Sequence, residues 1–184
     1  MSFVNAHFVT YVRDLGFSTM LAAGAFSLIG AASIVGALIL GHLSDKHGRR
    51  LWLSFSYNLR SVGFLVVLLS MGIPFLGIPP LGLPALMMGV VLVGFSFNAT
   101  VSITAAYTSD RFGVTRLGTI YGTMYAVMPL GSGLGAFLGG LLYDVRGTYD
   151  VALWSNVVLL SVVTVLVFLI RERIPASGQQ ALAH

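Results

Sequence analysis

Apolar residues in this chain gather in long runs rather than alternating with polar ones. Five runs stand out: Thr19–Leu40, Leu51–Ile73, Pro84–Tyr107, Gly118–Tyr143 and Val151–Ile170. A helix rises about 1.5 Å per residue and a bilayer core is about 30 Å thick, so about 20 apolar residues suffice to cross. All five runs meet that length. They are too long for strands and lack period-two alternation, so each predicts a membrane-spanning helix. A sixth run, Met1–Val12, would extend only about 18 Å as a helix. It has no basic leading segment or clear cleavage site, as a signal peptide would. It reads as the last part of a longer helix.

The connections are short. Arg13–Ser18 carries Gly16, Gly41–Arg50 is basic, Pro74–Leu83 is rich in Gly and Pro, and Ser109–Leu117 and Asp144–Asp150 close the set. Residues 1–174 read as one helical bundle, and 175–184 as a small polar tail expected to be disordered.

Composition agrees and excludes the alternatives. Of 184 residues, 57% are hydrophobic and 9% are charged. A soluble domain carries about 25% charged residues. Mean hydropathy is +0.91. This is an all-α polytopic membrane bundle. The net charge of +4 does not indicate a nucleic-acid partner, because the ten Lys and Arg form no basic face. They sort by topology instead. Lys46, Arg49, Arg50, Arg111, Arg116, Arg171 and Arg173 fall on one side, and Arg13 and Arg146 on the other. The positive-inside rule places the first group, and the C-terminus, in the cytoplasm. Arg60 belongs to neither side.

The strongest local motif is Gly41-His-Leu-Ser-Asp45-Lys46-His-Gly48-Arg49-Arg50. Gly41 lets a helix end approach a neighbour, and Gly48 can take positive φ in a turn. Asp45 can pair with Arg49 or cap a helix. The form G-x-L-S-D-[KR]-x-G-R-R resembles the loop signature of the major facilitator superfamily. A second stretch runs Asp110-Arg-Phe-Gly113, then Gly118-Thr-Ile-Tyr121-Gly122, then Gly135, Gly140, Tyr143-Asp144 and Gly147-Thr-Tyr149. It is similar to the last two helices of the monocarboxylate and oxalate–formate type branch, with Ala136 where a Pro is common.

The resemblance covers nearly the whole chain but only the C-terminal six-helix half of the family fold, with its first helix cut short. It implies secondary transport of a small organic anion, monocarboxylates included, moved with protons between two six-helix halves. It implies a gating hinge at Gly41, Asp45, Lys46, Gly48, Arg49 and Arg50. The partners implied are the lipid bilayer of the cell's inner (plasma) membrane and a missing N-terminal half. The alternative is a non-transporting helper subunit that packs against other helices.

Candidate site residues follow from the spans. Arg60 lies roughly 15 Å into its helix, where a cation turns toward protein or water. It is either an anion contact or a structural cation bonded to neighbouring helices. On Pro84–Tyr107, Ser96, Thr100 and Thr104 share one face, while Asn98 and Ser102 lie nearly opposite. Asn98, which can donate and accept, is the candidate substrate contact. On Gly118–Tyr143, Tyr125 is a candidate lining residue or an interfacial aromatic. Gly118 and Gly122, then Gly131, Gly135 and Gly139, repeat at intervals of four and predict close helix packing. Pro129 predicts a kink. His7, one turn from Tyr11, is a hydrogen-bonded structural residue or a proton relay. All six acids lie at span ends or in loops, so a coupling carboxylate is expected in the other half. No Cys, metal-ligand motif, cofactor motif or hydrolase motif is present, so no metal, no cofactor and no enzyme activity are expected.

Overall fold

The apolar runs fold as helices because every backbone N–H and C=O must find a partner inside the segment once lipid replaces water. A computed structural model describes residues 7–72, 77–147 and 149–170. Its elements are α1 (Phe8–Asp14), α2 (Thr19–His47), α3 (Arg49–Met71), α4 (Gly82–Phe112), α5 (Val114–Arg146) and α6 (Asp150–Leu169). Among the described residues α2 to α6 are long and apolar enough to cross a membrane. Residues 1–6 of the first run and the 175–184 tail lie outside the described residues.

The helices outrun the hydrophobic runs. Gly41–Arg50 and Ser109–Leu117, expected as connections, are almost entirely helical. α2 continues to His47 and α3 begins at Arg49, so Gly48 alone makes the break, with φ +95°. α4 continues to Phe112 and α5 begins at Val114, with Gly113 at φ +83°. Residues with Cβ rarely adopt that conformation, so one glycine turns the chain where a loop was expected. Lys46 in the last turn of α2 favours its extension, since a cation stabilises a helix C-terminus.

α4 is the hub. It packs on α3 and α2, α3 packs on α6, and α5 is held sparsely, by α4 and α6. Glycines set the close approaches. A Cβ on Gly36 of α2 would meet Phe95 O at 1.8 Å. On Gly94 it would meet Ile29 O at 2.7 Å, and Gly63 and Gly89 face one another across α3 and α4. Such backbone contact is how helices associate where hydrophobic attraction between them is absent.

Two apolar clusters flank a polar belt. Tyr11, Val12, Ile29, Val67, Leu86, Val90 and Leu153 belong to one, and Leu40, Leu53, Ala99, Ile103 and Val167 to the other. Between them lie Ser56, Arg60, Ser96 and Thr100, all buried. α6 turns Val158, Leu159, Val162, Val165, Leu166 and Leu169 outward, as a lipid-facing helix does.

Among the described residues, most of the expected packing of α5 is not made. A Cβ on Gly118, Gly122 or Gly131 would meet nothing within 4 Å, and Gly135 is exposed. Among the described residues Gly139 does have a neighbour, the His7 ring at 3.4 Å. The repeat is real, but among the described residues most of the surface it presents is uncovered. α5 runs unbroken through Pro129.

Candidate functional site

At the middle of the bundle, Arg60 is 4% exposed. Its guanidinium donates to Ser96 Oγ (3.2 Å), Ser96 O (2.5 Å), Phe97 O (3.1 Å) and Thr100 Oγ1 (2.9 Å). It also lies over the Phe97 ring at 5.7 Å and the Tyr57 ring at 5.9 Å. The two possibilities read from the sequence thus meet a definite geometry. These donors are directed at the α4 backbone and its hydroxyls, and they tie α3 to α4. Ser56 Oγ adds a bond to Ser96 O at 3.1 Å.

Asn98 points the other way. Its side chain is on the exposed face of α4, where Nδ2 donates to Ser33 Oγ of α2 at 3.0 Å. Ser102, one turn on, donates to Asn98 O. The division between Ser96 with Thr100 and Asn98 with Ser102 is the one helical periodicity predicts. Tyr125 of α5 is 37% exposed and lies 4.7 Å, centroid to centroid, from Tyr121, whose hydroxyl donates to Val101 O. The structure therefore brings Tyr121 and Tyr125 against α4 but leaves Arg60 and Asn98 on different faces of that helix.

The basic hinge closes a knot at one end. Arg49 Nη1 pairs with Asp45 Oδ1 and donates to Ser44 Oγ at 3.1 Å, while its Nε donates to Asp110 Oδ2 at 2.9 Å. One guanidinium joins the ends of α2, α3 and α4. Asp110 was quoted in the sequence motif without a role, and no sequence spacing indicates a pair 61 residues apart. Arg50 donates to Ile170 O at 3.3 Å and lies over Phe168 at 5.2 Å. Lys46 is exposed, and Gly41 has open space where a Cβ would stand.

At the opposite end, His7 is held rather than loose. Its Nε2 donates to Ala136 O at 3.0 Å, which leaves Nδ1 to accept from Tyr149 Oη at 3.4 Å. Tyr149 stacks on Tyr143, with ring centroids 4.3 Å apart. Burial pushes the Tyr149 phenol up from its usual pKa, and Tyr143, Asp14 and Asp144 push the same way. Tyr11 donates to Val67 O. The cluster joins α1 to α5 and to the start of α6. Among the described residues no group of three metal-ligating side chains forms.

The hinge and the helix order can be set beside known proteins. The pattern of the Major Facilitator Superfamily matches residues 1–183. The chain belongs to the major facilitator superfamily. Two curated superfamily relatives are named as transporters, not as enzymes. The uncharacterized MFS-type transporter YcxA of Bacillus subtilis is 28% identical over 150 residues, which is 81% of this chain and 35% of that protein. A triacylglyceride transporter of Mycobacteroides abscessus is 30% identical over 129 residues, 70% of this chain and 23% of that protein. The chain thus spans about a third or less of the curated relatives it matches. As a superfamily bundle, it carries the motif read from the sequence where α2 meets α3, and among the described residues one face of α5 is largely uncovered.

Proposed function

We propose that this chain is the C-terminal six-helix half of a secondary transporter of the monocarboxylate and oxalate–formate type, moving a small organic anion with protons by alternating access. The observation that carries the reading is the sign of the charge inside the spans. Within the five apolar runs Arg60 is there, and no Asp or Glu is. Arg60 braces α3 to α4 and places its charge at the depth of Asn98. Asn98, which keeps a second amide N–H beyond its bond to Ser33, and Tyr125 of α5 offer hydrogen bonds to a carboxylate. A wall of donors without acids suits an anion and disfavours a cation.

The remaining residues take supporting roles. The open face of α5, with Gly118, Gly122, Gly131 and Gly135, receives the N-terminal half. Arg49, Asp45 and Asp110 lock the hinge end, and the lock loosens as the halves rock. His7 passes a proton by way of Tyr149, and the coupling carboxylate comes from the other half. The basic end and the C-terminus are cytoplasmic, in the cell's inner membrane.

The test is uptake of labelled lactate, formate and oxalate into proteoliposomes holding the complete transporter that carries this half. At least one anion is expected to enter faster than into empty liposomes. Asn98→Ala should slow it about tenfold, the loss of one hydrogen bond to a charged group. Uptake of none of the three would overturn the anion reading, as would transport of labelled triacylglyceride instead. Unchanged uptake by Asn98→Ala would remove Asn98 from the path.

A further inference from the structure

A crevice of about 290 Å³ opens at the basic end between α3, α4, α5 and α6. It lies roughly a third of a turn around α4 from Asn98 and Ser102. Leu53, Phe112, Met124 and Val167 form its sides. Thr104 and Thr108 also line it, but their hydroxyls donate to carbonyls one turn back, Thr100 O and Thr104 O. They therefore present methyl groups. An apolar cavity of about 150 Å³ already takes up benzene and excludes water. A larger one between membrane-crossing helices has room for part of an acyl chain.

The rim selects the headgroup. Arg50 lines the crevice and is steadied by Ile170 O and the Phe168 ring. The same end carries Lys46, Arg49, Arg111 and Arg116, against Asp45 and Asp110, both of which pair with Arg49. Five described cations against two acids leave that end positive. A basic rim above an apolar slot between membrane helices is complementary to an anionic lipid. We propose that this crevice holds one acyl chain of an anionic phospholipid, with the headgroup phosphate beside Arg50.

The 184-residue chain in detergent is titrated with palmitoyl-oleoyl phosphatidylglycerol or phosphatidylcholine, and bound lipid is counted by native mass spectrometry. Phosphatidylglycerol should bind roughly fivefold tighter, the effect of about one well-placed cation. That preference should shrink with added salt, which screens exposed charge, and it should vanish in Arg50→Gln. Met124→Trp fills the slot from a side chain that is 48% exposed, and should weaken both lipids about tenfold. Leu134→Trp, on the open face of α5, should change neither. Equal binding of the two lipids overturns the proposal, as does a preference that survives high salt. Full phosphatidylglycerol binding by Met124→Trp places the lipid elsewhere and also overturns it. Glycerol phosphate alone should not bind. If it binds as tightly as the lipid, the acyl-chain site is wrong.

Discussion

A guanidinium in the middle of a span persists only when its donors find acceptors within the protein. Arg60 finds them on α4, at Ser96, Phe97 and Thr100. Ser96 O would keep donors from Ser56 and Thr100 without it. Arg60→Ala therefore loses charge-assisted bonds and leaves a cavity, and should cost about 2 kcal/mol, read as a lowered unfolding temperature in detergent. Arg60→Met should cost less, because an unbranched apolar chain fills the space and removes the burden of a buried charge. An alanine variant as stable as the parent would contradict the bracing role. A methionine variant that unfolds normally but no longer takes up anion would place the guanidinium in the transport path. The depth of Arg60 was legible in the sequence. Its partners were not, because they sit on another helix and nothing in the linear spacing says which face of α4 meets α3.

Between α2 and α4 the decisive residues have no side chain. A methyl group on Gly36 would overlap Phe95 O, so Gly36→Ala forces the two helices apart and should cost about 2–3 kcal/mol. Gly122→Ala has open space. It should leave the unfolding temperature of the chain unchanged or raise it, since alanine is the better helix former by about 1 kcal/mol. Equal effects of the two substitutions would mean that α5 is covered after all. The contrast shows what periodicity can and cannot say. The five long helices were readable because lipid demands about 20 apolar residues in a row. The repeat from Gly118 to Gly139 was also readable, but a repeat only shows that a helix could approach something closely. Gly36, Gly63, Gly89 and Gly94 sit in no such conspicuous series, yet they make the contacts. The turns are tighter than the polar stretches suggest for a related reason. Polar and charged residues from His42 to His47 look like a loop, but at a membrane surface they can end a helix in water without leaving it, and one glycine completes the turn.

For the bundle as a whole, the positive-inside rule predicts which end faces the cytoplasm. α5 decides it most simply. From Val114 to Val145 it rises about 47 Å, more than the roughly 40–45 Å of a bilayer with its headgroups, so both ends reach water. Val114 and Val145 are each largely exposed, and the chain has no Cys, so single cysteines can be introduced without background. Arg111 and Arg116 flank Val114, beside the Arg49 knot, while Arg146 flanks Val145 at the end that also carries Arg13. Cells retain Lys- and Arg-rich ends in the cytoplasm. In intact cells a membrane-impermeant maleimide should therefore label Val145→Cys and spare Val114→Cys until the membrane is opened. The reverse pattern would invert the bundle. It would put the hinge outside the cell, where a basic rim meets the opposite leaflet, and the choice of anionic lipid at the crevice would then be made there. Labelling of both sites in intact cells would mean that α5 does not cross at all, and with it the reading of its open face as the seam for a second set of helices would fall.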